Sequence, residues 1–173
     1  MNKTLRLIVL GLFVAQSLVL YIIEGMLPVP FIAPGAKLGL ANLITVIALY
    51  SLKRKQDVAL ILILRILLST AFGGGVNAFF YSLSGAALSF VAMVLLMKSH
   101  RFSLIGVSAA GGIFHYLGQV IVAATVVQNM KIMLYLPILS VAGVGTGILI
   151  GITAYVTLNH LKKLPLYQKL QDA

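Results

Sequence analysis

Apolar stretches about as long as a bilayer is thick follow one another along this chain, with little polar sequence between them. A helix needs ~20 apolar residues to cross the hydrocarbon core, because each residue advances it ~1.5 Å and no water is there to satisfy an open backbone. The chain divides into six such pieces, about 5–27, 35–52, 57–73, 76–97, 104–128 and 132–159. With 61% hydrophobic and 9% charged residues, its 173 residues carry more apolar surface than one water-soluble core can hide. The expected fold is all-α, a single transmembrane domain over 1–173 built as a bundle of six helices in a lipid bilayer. The first run follows Lys3 and Arg6 as a signal peptide would, but it is too long, lacks a small-residue cleavage pattern and precedes further spans. It reads as a retained helix. The absence of cysteine excludes disulfides and thiolate metal sites.

Charge placement predicts the orientation. With a cytoplasmic N-terminus, Lys3, Arg6, Lys53, Arg54, Lys55, Lys98, Arg101, Lys162, Lys163 and Lys169 all lie inside, and Lys37 and Lys131 lie outside. Both termini are then cytoplasmic, and the Pro-rich loop 28–36, the Gly73–Gly75 turn and the 129–131 turn face outward. The net charge of +10 needs no nucleic-acid partner, since the cations are spread over every inner loop and form no single stripe with interleaved aromatics.

Two cations stand apart from that pattern. Pro34-Gly35 is a turn signal running into Ala36-Lys37-Leu38-Gly39-Leu40-Ala41-Asn42, so a helix is expected whose first turn carries Lys37 and whose second carries Asn42. A cation there opposes the macrodipole, so Lys37 either faces an anion or snorkels to the headgroups. Arg65 lies near the middle of the third span, roughly 10 Å from its outer end. Burying it costs at least ~2.5 kcal/mol on the mildest insertion scale. Asp57 and Asp172 are at cytoplasmic ends and Glu24 at the outer end of the first span, so Arg65 reaches Glu24 or backbone carbonyls, or its counter-ion arrives with a ligand. Arginine suits bidentate binding of phosphate or carboxylate.

The remaining intramembrane polar groups, Asn42, Ser69, Thr70, Asn77, Tyr81, Ser84, His115, Tyr116, Gln119, Gln128 and Asn129, fall in or can reach the outer half. Singly each can hydrogen-bond a neighbouring helix; together with two cations they suggest a pocket open to the outside. The candidate substrate-binding set is Lys37, Asn42, Arg65, Ser69, Asn77, Tyr81, His115 and Gln119, with Phe79, Phe80 and Tyr116 as further ring contacts. No zinc-ligand spacing, nucleophile–base pair or phosphate-binding loop is present, so no catalytic residue, metal or catalytic cofactor is expected. Small residues recur at four-residue spacing as Gly143, Gly147 and Gly151, as Gly85 and Ser89, and as Gly11 and Ala15. Such stripes mark close helix packing, and the one on the first helix can instead dock a partner subunit.

The loop entering Pro34-Gly35-Ala36-Lys37-Leu38-Gly39-Leu40-Ala41-Asn42, the third-span arginine and Gly73-Gly74-Gly75 leading to Asn77 resemble, over nearly the whole chain, a bacterial membrane family. It is labelled either Gx transporter or heptaprenyl diphosphate synthase component I. That family resembles the substrate-binding S components of energy-coupling factor (ECF) transporters, six-helix proteins with cytoplasmic termini. The resemblance implies a transmembrane coupling subunit and two ATPase subunits as partners, residence in the cytoplasmic membrane, and docking through Gly11 and Ala15, with Gly where Ala is more usual. It also implies FMN or FAD as transported cargo. The synthase label conflicts with the residues. Prenyl transfer uses aspartate-rich clusters on magnesium-diphosphate, and no two acids here lie within thirty residues of each other. The expected function is an ATP-driven transporter's specificity subunit; the alternatives are a stand-alone secondary transporter or channel, and a non-catalytic membrane partner in isoprenoid or quinone biosynthesis.

Overall fold

The computed structural model describes residues 3–26, 39–165 and 167. Loop 28–36, Lys37, Lys169 and Asp172 lie outside the described residues. Within them the chain forms six α-helices: α1 (Lys3–Met26), α2 (Leu40–Ser51), α3 (Lys55–Ser69), α4 (Gly75–Lys98), α5 (Leu104–Val126) and α6 (Leu136–Leu161). α1, α4, α5 and the continuous helical run Met130–Leu161 are long and apolar enough to cross a membrane. Their outer faces are apolar too: Leu7, Leu12, Leu95, Val141 and Leu149 are each more than half exposed. The chain is a multi-pass membrane protein, since water would not tolerate such a surface.

Two helices differ from the expected spans. α2 begins at Leu40 instead of 35, because Gly39 takes a left-handed conformation (φ 76°) that ends any helix arriving from Lys37. Asn42 therefore sits in the first turn. A cap from another helix completes this end: Glu24 accepts from the Gly39 N–H at 2.5 Å and the Leu40 N–H at 3.1 Å. A carboxylate is favoured there by the open N–H groups and by the dipole. At the other end of α2, the Lys55 ammonium donates to Leu49 O at 2.6 Å, complementing the carbonyl terminus. α3 is shorter than 57–73 because its last turn widens into a π-type turn over Thr70–Gly74. Ser69 Oγ and Thr70 Oγ1 both donate to Ile66 O, at 2.9 and 2.8 Å, and crowd the carbonyl that a regular turn would use. The reversal then falls on Gly75, at φ 70°. α3 and α4 fold back as a hairpin, so that Leu62 and Ile66 meet Ala86 with Phe79, Leu83 and Phe90 around them.

The helices group as α1–α2–α3 and α4–α5–α6, joined where α2 meets α6 and α3 meets α4. The larger core gathers Val9, Val14, Val46, Leu49, Val58, Val107, Ala154 and Leu158 toward the end where Arg6 binds Asp57. That ion pair is bidentate, with Arg6 Nε 3.1 Å from Asp57 Oδ2. The α5–α6 contact is backbone against backbone. A Cβ on Gly147 would lie 2.6 Å from Ala109 Cα, and one on Gly151 2.9 Å from Ile105 Cα, while Gly143 sits against Gly112. The glycine stripe of the last span is an internal packing face.

Candidate functional site

A cavity of about 590 Å³ lies between the two helix groups, in the part of the bundle away from the Arg6–Asp57 pair. Every helix contributes to its wall. α5 supplies one continuous face, with Ser108, Gly112, His115, Gln119 and Ala123 following one another at three- to four-residue spacing. Across from it stand Tyr21 and Glu24 of α1, Asn42 of α2, Arg65 of α3 and Tyr81 of α4, while Tyr135 and Leu139 lie toward the start of α6.

Arg65 is 6% exposed, and its Nε has no hydrogen-bond partner. Asp57 holds Arg6, and Glu24, also 6% exposed, is hydrogen-bonded to the start of α2, so that it acts on Arg65, as Tyr21 does, through the electrostatic field and not through an ion pair. The cavity thus contains a guanidinium and a carboxylate that form no ion pair within 4.0 Å. Breaking up such a pair in a low-dielectric interior requires that something else hold each charge. The α2 N-terminus does this for Glu24, while Arg65 has the field of Glu24 and Tyr21 and a backbone fixed by Ile66 and Leu62, buried in the α3–α4 contact.

His115 is held on the opposite wall. Its Nε2 lies 3.0 Å from the Gln119 amide nitrogen one turn on, and the ring rests against Gly85, where an added Cβ would meet His115 O at 2.7 Å and Cε1 at 3.0 Å. With the amide donating, Nε2 accepts and the ring proton belongs on Nδ1, a buried atom whose nearest polar neighbour is the Gly85 backbone, outside strict hydrogen-bond geometry.

Of the residues anticipated from sequence, Asn42, Arg65, Tyr81, His115 and Gln119 line the cavity. Ser69 does not: it is buried with its hydroxyl turned back on Ile66 O. Asn77, in the first turn of α4, is exposed and away from the cavity wall. Lys37 lies outside the described residues. The ring contacts divide likewise. Tyr116 lines the cavity, Phe79 packs on the α3–α4 cluster, and Phe80 is 49% exposed. The sequence reading missed Ser89 and Ser108, both of which line the cavity. Ser89 had a signal, its four-residue spacing from Gly85, but a serine in a small-residue stripe reads as packing until the neighbouring helix is placed.

Gly11 and Ala15 are exposed on α1, and a Cβ on Gly11 would meet nothing within 4 Å. The stripe of α1 is not used inside the bundle, unlike that of α6.

The family described as heptaprenyl diphosphate synthase component I matches residues 13–157. The chain belongs to that family. The match runs from α1 to the last turns of α6, so every helix that lines the cavity falls within the heptaprenyl diphosphate synthase component I region. No curated protein and no solved structure matches the chain.

Proposed function

We propose that this protein binds a small amphipathic anion in the cavity and serves as the substrate-binding subunit of an ECF-type ATP-driven transporter of the cytoplasmic membrane, with a flavin nucleotide (FMN or FAD) as cargo. One observation carries the reading: Arg65 is buried in a cavity wall with its Nε unpartnered and with no ion pair to an acid among the described residues. Glu24 acts on this cation through the field across the cavity but makes no ion pair with it, so the guanidinium keeps hydrogen-bond donors for a ligand, and an arginine favours a phosphate or carboxylate. The cavity's volume falls within the ~300–1,000 Å³ range of small-molecule sites, and tyrosines give it surface for a ring system. The cargo assignment comes from the family resemblance. A transmembrane coupling subunit and two ATPase subunits would supply the energy, with the open Gly11–Ala15 face as their docking surface.

The test is binding of riboflavin, FMN and FAD to the purified protein, together with identification of any small molecule that co-purifies. An absorbing flavin on the wild-type protein supports the reading. Transport by the protein alone in liposomes would replace it with a secondary carrier.

The family's own description favours a second reading, a membrane partner of a prenyl diphosphate synthase. In that reading the chain is non-catalytic. Magnesium-diphosphate needs several carboxylate oxygens together, and among the described residues Glu24 and Asp57 are committed to separate ends of the bundle. Co-purification separates the two readings: a soluble synthase in one case, a coupling subunit with two ATPases in the other.

A further inference from the structure

The cavity is longer than one small headgroup. Along α5 its wall runs from Ala123 to Ser108, fifteen residues or about 22 Å of helix. Its polar groups are not spread evenly over that length. The tyrosines Tyr81 and Tyr135 lie toward the α6 start and the α3–α4 turn, while Arg65 and His115 lie midway, at the level where Ile66 meets Ala86 and His115 meets Gly85. Below them is a floor. Ser89 comes one turn after Gly85 on α4, and its Oγ lies beside Gly111, where an added Cβ would be 3.2 Å away. Ser108 is three residues further down α5 and about 10 Å below His115.

Ser89 and Ser108 are 5% and 3% exposed, line the cavity, and have no hydrogen bond among the described residues. A hydroxyl in a helix often donates to the carbonyl one turn back, as the buried Ser69 and the more exposed Thr153 and Thr157 do here. These two do not. Ser89 is closely walled on its α4–α5 side, since a Cβ on Gly111 would meet Met93 Sδ at 2.7 Å. A tetrahedral group with several acceptor oxygens matches two hydroxyl donors below a guanidinium.

We infer that Ser89 and Ser108 extend the anion site below Arg65, so that the ligand lies with its phosphate or diphosphate end down on the floor and its apolar or aromatic body toward the tyrosines. This rests on the anion-binding part of the function proposed above and is independent of the flavin. It assigns the floor to phosphate oxygens, and it favours a diphosphate, which can reach both Arg65 and Ser108, over a single phosphate.

Two probes test it on the purified full-length protein. The first is inorganic pyrophosphate, read by thermal stabilisation against chloride of equal ionic strength. Wild type should be stabilised more by pyrophosphate than by orthophosphate, and Ser89→Ala with Ser108→Ala should cut the apparent affinity roughly tenfold or more, as expected for hydrogen bonds to a charged acceptor. The second is the pair riboflavin and FMN. The two alanine variants should weaken FMN and leave riboflavin unchanged. Pyrophosphate that fails to stabilise wild type, or does so equally in the serine variants, overturns the inference even if flavins bind. Loss of riboflavin equal to that of FMN also overturns it, because the floor then holds the ring. A pyrophosphate response that depends on the serines, without any flavin binding, upholds the floor site and discards the flavin cargo. Alanine at a serine site removes one oxygen and adds no bulk; an unchanged melting temperature without ligand checks that the fold is intact.

Discussion

Arg65 and Glu24 show how two charges can act on each other across a cavity without closing into an ion pair. Glu24 sits against the first N–H groups of α2, which favour a carboxylate through direct hydrogen bonds and through the helix dipole. Replacing Glu24 with Ala should leave Gly39 and Leu40 without that acceptor and destabilise the protein by about 1–3 kcal/mol, measured as a drop in melting temperature in detergent. Arg65→Gln should behave differently. It removes a buried charge from the cavity wall, so the fold should persist while phosphorylated ligands lose on the order of 1.5–3 kcal/mol and riboflavin is spared. Equal loss for all three flavins, or a protein that no longer folds, would make Arg65 a structural group. Arg65 was legible in the sequence because a guanidinium among leucines and isoleucines in a bilayer demands a partner, whether Glu24, backbone carbonyls or a ligand. The engagement of Glu24 was not, because nothing local to residue 24 says that residues 39 and 40 come to it.

At the scale of elements, the small-residue stripes look alike in sequence and differ in use. The stripe of α6 is closed against the α5 backbone, whereas Gly11 and Ala15 on α1 face outward. The same substitution should therefore have opposite consequences. Gly147→Leu would drive a side chain into Ala109 and Ser108 and should cost several kcal/mol or abolish folding, read by expression and thermal unfolding. Ala15→Leu should leave the melting temperature and ligand binding of the isolated protein unchanged and reduce recovery of partner subunits in a pull-down. If ligand binding fell in step with assembly, the α1 face would be part of the bundle's own packing. The helix ends teach a related lesson. α5 starts where Ser103 can cap it, accepting from the Gly106 N–H at 3.1 Å, a signal visible in sequence. α2 starts where Gly39 and Glu24 allow, and only the glycine was visible.

For the whole molecule, charge asymmetry and cavity position make a joint prediction. If the many loop cations are cytoplasmic, the Arg6–Asp57 end of the bundle faces inward and the cavity opens toward the outer side. The chain has no cysteine, so single replacements can report sidedness without background. Lys98→Cys and Lys131→Cys, both at exposed positions, should react with a membrane-impermeant maleimide from opposite sides, Lys131→Cys in intact cells and Lys98→Cys only after lysis. The reverse pattern would place the cavity mouth in the cytoplasm and exclude uptake of cargo from outside.

Membrane class and the approximate place of each helix followed from sequence alone, because apolar length and unsatisfied backbone are local quantities that a bilayer converts directly into helices. The odd arginine was visible for the same reason. What only the tertiary structure decided is which polar groups face one another. Ser69 and Asn77 were expected beside Arg65 and His115, yet one turns to its own helix and the other is exposed, while Ser89, which read as packing, and Ser108, which carried no signal, line the cavity. Rotation of each helix about its axis makes that difference. In a span that is apolar on every side, sequence periodicity carries almost no information about rotation, which is set by contacts such as Gly112 against Gly143 and Gly85 against His115 between residues far apart in the chain.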